Sequence, residues 1–228
     1  LTEAGGPLLP EVRLVLVGGS KLDPGLRTAM AAMAPGAALR EFYGAAEASF
    51  ITLADADTPA DSVGAPYPGV EVQLRGGEPG EIWVRSAYLF DGYGGDDPGS
   101  ARWDAGWLSV GEMGWLRGGQ LFLAGRAGRM VTVADQNVFP EEVEALLQGL
   151  PGVARVAVLP RPDARRGQVL VAVCQGDPAQ EAAILRAARQ VLGPLKAPRA
   201  LIWRQDWPVL ASGKSDLARI DREAGPWP

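Results

Sequence analysis

The chain has 228 residues, a length for one large domain or two small ones. Hydrophobic residues make up 47% and charged residues 21%, which excludes a disordered or collagen-like chain. The formal net charge is −5 and the basic residues are scattered, which argues against a nucleic-acid partner. No apolar run reaches the roughly 18–20 residues of a membrane span. One cysteine, Cys174, cannot form an internal disulfide, so a reducing, cytoplasmic setting is expected. Histidine is absent, which removes Ser–His and Cys–His catalysis and every His-bearing zinc site. Chemistry then falls to carboxylates, arginine, tyrosine, backbone amides, a bound ion, or the lysines at Lys21, Lys196 and Lys214. The chain opens on Leu1 without a basic-then-apolar signal segment, as a piece of a longer protein would.

In chain order, the apolar run Val12 to Val17 reads as a buried parallel strand that stops at Gly18-Gly19-Ser20. Asp23 then Pro24 read as helix cap and first helical position, and Leu26, Met30 and Met33 supply an apolar stripe. Pro35-Gly36 ends that helix, and Leu39 to Tyr43 is a second strand, completing a βαβ unit. From Ser62 to Gly125 short alternating runs take over: Val70 to Leu74, Glu81 to Arg85 and Leu121 to Leu123, a small bent antiparallel sheet or barrel. After it the pattern is α+β. Pro140-Glu141-Glu142 opens a helix with acids at its positive end and Val143, Leu146, Leu147 and Leu150 on one face. Strands follow at Ala154–Leu159 and Val169–Cys174. Asp177, Pro178 and Gln180 start a second helix, whose buried face is Ile184, Ala187, Ala188, Val191 and Leu192 and which Gly193-Pro194 stops. Leu201 to Trp203 is a last strand.

The polar residues at the strand ends carry the chemistry. Taken singly, Tyr43-Gly44-Ala45-Ala46-Glu47, Ser109-Val110-Gly111-Glu112, Gly125-Arg126 and Ser212-Gly213-Lys214 are also ordinary turns with solvated charge. Their order is more specific. Leu14 to Ser20 looks like the strand and Gly-Gly loop beside the adenine in the adenylate-forming enzymes, a family of acyl-CoA synthetases, peptide-synthetase adenylation domains and luciferases. Phe42 to Glu47 resembles that family's Y-G-x-S/T-E motif, Val63 to Val70 its V-G-x-P-x-P-G segment, and Pro79 to Arg85, followed by Gly92-Tyr93, its G-E-x-x-V-R and G-Y. Gly106 to Glu112 resembles G-W-x-x-T-G-D, Gly125-Arg126 and Asn137 to Glu144 resemble G-R and N-x-x-P-x-E-x-E, and Pro208 to Lys214 resembles P-x-x-x-S/T-G-K. These segments run in family order from Leu14 to Lys214, and Asn137-Val138-Phe139-Pro140 leans toward the acyl-CoA synthetases.

The resemblance implies a mixed α/β and α+β fold. Residues 1–126 are the end of a large domain (a βαβ piece over 1–54 and a barrel-like piece over 62–125), and residues 127–228 are a small lid domain. It implies ATP, magnesium and coenzyme A, a carboxylic acid substrate, and an acyl-adenylate that a thiol then consumes. On this reading Tyr43 and Gly44 lie against the adenine with Gly18, Gly19, Ser20 and Ala46. Glu47 is a hard oxygen ligand for magnesium on the phosphates. Glu112 holds the ribose hydroxyls, Arg126 is the nearby arginine, and Lys214 brings charge to the oxygens of the phosphorus transition state.

The departures from the motifs matter as well. Ala46 lacks the usual hydroxyl, Val110 replaces Thr, and Glu112 is one methylene longer than Asp. Gly128 takes the hinge position, and Ala134-Asp135 takes the place of a Gly-Gly pair beside the pantetheine path. The family's phosphate loop, which lies upstream, is absent from the sequence. Two expectations follow: the carboxy-terminal half of an acyl-CoA synthetase that needs an upstream part and is inactive by itself, or a non-catalytic nucleotide-binding or interaction module. The identity of the acid and the oligomeric state are not legible.

Overall fold

The computed structural model describes residues 9–19, 22, 24–94 and 101–226. The chain divides into two compact units, Leu1–Ala127 and Gly128–Pro228.

The first unit begins with β1 (Leu14–Val17), α1 (Pro24–Met33) and β2 (Ala38–Ala45), with β1 parallel to β2 from Leu14↔Ala38 to Val17↔Glu41. The expected βαβ unit is present. Asp23, expected to cap α1, lies outside the described residues. A buried carboxylate ties the start of the helix to the sheet instead: Glu41 accepts from the Leu22 amide at 2.9 Å and pairs with Arg27 at 3.2 Å. β3 (Ser49–Ala54) and β4 (Ala65–Pro66) extend the sheet in the order β1-β2-β3-β4. β1 departs from expectation in burial. Leu14 and Leu16 are 52% and 53% exposed, because β1 is the outer strand and nothing among the described residues covers them.

The second sheet holds β5 (Glu71–Arg75), β6 (Gly80–Arg85), β7 (Arg102–Asp104), β8 (Trp107–Arg117) and β9 (Gln120–Arg126), in the order β5-β6-β8-β7 with β9 on β8. It is bent and does not close into a barrel. β8 keeps β6 along one edge, at Leu108-Ser109 and again at Met113-Gly114, and changes partner along the other: Trp107 to Ser109 pair with β7, while Glu112 to Arg117 pair with β9. The switch falls at Gly111, where φ is 77° and a bulge sets three residues of β8, Val110 to Glu112, against Ile82 of β6. Period-two alternation points Val72, Leu74, Ile82, Val84 and Leu108 into a core shared with Ala48, Ile51, Val63 and Leu121. The Val63 amide donates to the Leu121 carbonyl and the Leu121 amide to the Gly64 carbonyl, each at 2.9 Å, and these bonds join the two sheets. A Cβ on Gly64 would lie 2.1 Å from the Leu53 carbonyl oxygen, so the contact requires glycine.

The second unit opens with a 3-10 turn over Ala127–Arg129 and the hairpin β10 (Val131–Val133) and β11 (Gln136–Val138). Then come α2 (Pro140–Gln148), β12 (Val153–Asp163), β13 (Gly167–Gly176), α3 (Glu181–Lys196), β14 (Leu201–Trp203) and α4 (Leu217–Ala224). The sheet order is β12-β13-β14, with β14 parallel to β13. Its strands bury both faces. Val158, Leu170, Ala172 and Cys174 meet Val143, Leu147, Ile184 and Ala188 of α2 and α3 on one side, while Ala157, Leu159 and Val173 meet Ile220 of α4 on the other. One detail of α3 differs from the sequence reading. Val191 is 67% exposed, since the buried stripe centres on Ile184, Leu185, Ala188 and Leu192 and leaves Val191 at its margin. Gly193-Pro194 stops the long helical segment as expected: Gly193 (φ 76°, ψ 173°) is non-helical, and a separate short turn follows to Lys196.

Candidate functional site

In the first unit the sequence-selected residues gather where β2, β8 and β9 come together. β2 delivers Tyr43, whose hydroxyl donates a hydrogen bond to Glu112 Oε2. Glu112 and Arg126 face each other across the β8–β9 ladder, with Arg126 Nε 3.8 Å from Glu112 Oε1. The bulge at Gly111 aims this carboxylate, since it offsets Glu112 from the regular alternation of β8. Burial, and after it the negative charge and hydrogen bond of Glu112, holds the Tyr43 phenol well above its ordinary pKa, with Arg126 opposing. Tyr43 therefore stays a neutral donor throughout the physiological range.

The glycines of the site have identifiable tasks. A Cβ on Gly18 would fall 2.3 Å from Phe42 Cζ, so the Phe42 ring lies against bare backbone there. Gly19 has φ 94° with open space around it, a conformation that disfavours side chains. Ser20, the third residue of that loop, lies outside the described residues. Gly44 lets β2 turn tightly into β3, because a Cβ would sit 2.0 Å from the Ser49 carbonyl oxygen. Ala46 is exposed in the turn between those strands and offers only its methyl group.

Glu47 lies in the same turn. Its backbone carbonyl accepts from the Phe90 amide at 2.9 Å, and its Oε1 accepts from the Tyr93 hydroxyl at 2.6 Å. Among the described residues no group of three or more Asp, Glu, Cys or His side chains stands ready for a metal. Glu47 thus fits magnesium only in the way that ion is commonly held with nucleotides, by one or two carboxylates together with phosphates and water. The sequence reading gave Tyr93 no role. Its signal was the Gly92-Tyr93 pair, whose function no local pattern discloses.

In the second unit Lys214 is exposed near the end of a hairpin over residues 208–216, and its ammonium has no partner among the described residues. Lys196 differs, since Glu142 accepts two hydrogen bonds from it at 2.8 and 3.0 Å. The same unit holds a cleft of about 250 Å³ lined by Arg166, Arg189 and Arg199 over Val169, Pro194 and Leu195. Arg166 Nη1 donates to the Pro194 carbonyl at 3.1 Å. No acid lines it. Three arginines and no acid among the lining residues suit a phosphate-bearing ligand. Sequence reasoning missed this cleft, because its arginines are spread along the chain and only the packing of the β12–β13 turn, α3 and the segment before β14 brings them together.

Comparison with known proteins fits this geometry. The chain is 32% identical over 207 residues to the uncharacterized acyl-CoA ligase YhfT of Bacillus subtilis strain 168, covering 85% of this chain and 42% of that protein. It superposes with a TM-score of 0.77 on the amide bond synthetase McbA from Marinactinospora thermotolerans (28% identity, 92% of this chain and 47% of that one). With ATP-bound MatB from Rhodopseudomonas palustris the TM-score is 0.75 (26% identity, 92% and 45%). The chain thus spans less than half the length of the proteins it resembles. The AMP-binding enzyme family matches residues 2–94, and the AMP-binding enzyme C-terminal domain matches residues 142–214. With both parts matched in order, the chain belongs to the AMP-binding enzyme family and covers its carboxy-terminal part.

Proposed function

We propose that this chain supplies the carboxy-terminal half of an ATP-dependent acid–thiol ligase, which activates a carboxylic acid as its acyl-adenylate and passes the acyl group to coenzyme A. The observation that carries this reading is the single rung Glu112–Arg126 set against Tyr43. A carboxylate suits a pair of ribose hydroxyls, and the aromatic ring of Tyr43 beside it suits a purine.

Tyr43, Gly18 and Gly19 would flank the base, with Glu112 accepting from the ribose hydroxyls. Glu47 would hold magnesium on the phosphates with one oxygen while Tyr93 steadies the other. Magnesium, when bound, would neutralise charge on the departing pyrophosphate. Lys214 would place a point charge by the oxygens that gain charge as the substrate carboxylate attacks the α-phosphorus. The arginine cleft would bind phosphates of the acceptor, which supports coenzyme A. Two features favour a second reading, a nucleotide-binding module without catalysis: Ala46 has no hydroxyl, and Ala134-Asp135 replaces the Gly-Gly pair.

Lys214→Ala decides between them. In a full-length ligase carrying this chain as its carboxy-terminal half, acid-dependent pyrophosphate exchange should fall by about two to three orders of magnitude, as for other lost transition-state charges. Its AMP affinity should be unchanged. Full exchange in that variant would end the assignment of Lys214, and no exchange in the parent protein with any acid tried would favour the non-catalytic module.

A further inference from the structure

The hairpin that carries Lys214 is short and ends in small residues, Ala211-Ser212-Gly213, with φ of 81° at Gly213. Such a tip has little packing of its own, so its direction depends on its base. Three backbone hydrogen bonds tie the hairpin to itself: Leu210 N–H to the Lys214 carbonyl at 2.8 Å, Gly213 N–H to the Leu210 carbonyl at 2.9 Å, and Asp216 N–H to the Pro208 carbonyl at 3.0 Å. They persist only while the base of the hairpin is held, so exchange at the Leu210 and Gly213 amides reports on that base.

Two side-chain contacts act at the base. Asp216 Oδ1 accepts from the Arg219 amide at 3.0 Å and starts α4 two residues after the lysine. Trp207 Nε1–H donates to Ser215 Oγ at 2.9 Å. Trp207 packs with Leu217 and Ile202 against the layer of Ala157, Leu159, Val173 and Ile220 between the sheet and α4. The indole therefore reaches from the core to the residue that directly follows Lys214. The contact joins opposite strands of the hairpin, next to the isolated bridge Val209↔Ser215.

We propose that Trp207 is a positioning residue for Lys214: its indole N–H, held by the core, fixes Ser215 and so the direction from which the lysine presents its charge. This rests on the reading of Lys214 given above. A transition-state charge must sit within about 0.5 Å of its productive place, and a shift of about 1 Å can cost 100-fold in rate. A single core-anchored hydrogen bond is worth about a tenfold change in the loop's opening equilibrium.

The test has two arms. In the 228-residue chain, hydrogen exchange at the Leu210 and Gly213 amides should quicken about tenfold in both Trp207→Phe and Ser215→Ala. Amides of β12 and β13 should be unaffected, and Ser215→Thr, which keeps the hydroxyl, should match the parent. Unchanged loop exchange in Ser215→Ala overturns the proposal, and that variant carries the test should Trp207→Phe fail to fold. In the full-length ligase, both hydroxyl- and indole-deleting variants should lower kcat for pyrophosphate exchange by about tenfold or more with KM for ATP within about twofold, and Ser215→Thr should rescue. Parent-like kcat in them, alongside a dead Lys214→Ala, overturns the positioning role alone. Parent-like kcat in Lys214→Ala removes the reading on which the role rests, and the role with it.

Discussion

Glu112 shows how one methylene changes a site. It stands where the motif it resembles has Asp, and the longer chain lets one carboxylate meet both the Tyr43 hydroxyl and the Arg126 guanidinium. If this carboxylate holds the ribose, Glu112→Ala should lower the affinity of the chain for AMP by more than about tenfold, since hydrogen bonds to a charged group are worth about 1.5–3 kcal/mol. Calorimetric titration measures it, and equal AMP affinity in the variant would show that the ribose binds elsewhere. Tyr43 supplies a pH test in the same place. Its phenol is held above the ordinary value of 10.0, first by burial and then by Glu112. A raised folded-state pKa adds stability that is complete below the unfolded value and is lost as pH climbs from there through the folded value. Stability of the parent chain should thus fall above about pH 10 more steeply than that of Tyr43→Phe. Parallel curves for the two proteins would mean that this phenol does not titrate with unfolding.

At the scale of elements, the βαβ unit, α2, α3 and β14 were legible because each has a strong local period or a cap. β8 was not. Its bulge at Gly111 breaks the alternation, so Glu112 also read as a turn residue. α4 was missed as well: it has eight residues, and Ile220 is its one fully buried apolar side chain. The hairpin β10–β11 was hidden by its turn. Ala134 and Asp135 both have positive φ, 45° and 66°, in a two-residue connection that favours Asn-Gly or Gly-Gly. Left-handed backbone costs a residue with a Cβ roughly 1–2 kcal/mol, and Asp somewhat less because its side chain bonds locally. Ala134→Gly should accordingly stabilise the second unit by about 1 kcal/mol, raising Tm by about 4–8 °C for a domain of that size. A lower Tm would show that the added freedom of the unfolded chain outweighs the relieved strain. Arg129, two residues past the boundary between the units, is bound by Glu141, Glu144 and the Val158 carbonyl at 2.6–3.1 Å. Arg129→Ala leaves the Glu144 carboxylate half-buried without its guanidinium. Allowing for solvent at the rim, the loss should be about 2 kcal/mol in denaturant unfolding, and a loss below about 0.5 kcal/mol would class the pair with ordinary surface ion pairs.

The whole molecule sets what these parts can accomplish without others. Each unit has its own buried core, so the chain by itself should fold and keep its binding surfaces. Binding is a smaller task than catalysis here. The base and ribose contacts proposed for Tyr43, Glu112 and Arg126 lie within one unit, whereas the β- and γ-phosphates of ATP need a cradle of backbone amides and hydroxyls. No Gly-rich phosphate loop of that kind occurs in the sequence. The metal contact proposed for Glu47 would fix neither the leaving pyrophosphate nor the line of attack, and positioning supplies much of the rate in such transfers. The chain alone should therefore bind AMP no better than about high micromolar, because few contacts must offset the lost freedom of the ligand. ATP should bind no more tightly than AMP, since its extra phosphates gain little without a cradle. Pyrophosphate exchange with a panel of carboxylic acids should stay at background. Titration of AMP and ATP beside that assay measures all three. ATP binding far tighter than AMP, or robust exchange with any acid, would mean that residues within this chain build the phosphate site, and the glycines at Gly18 and Gly19 would be the first to substitute in locating it.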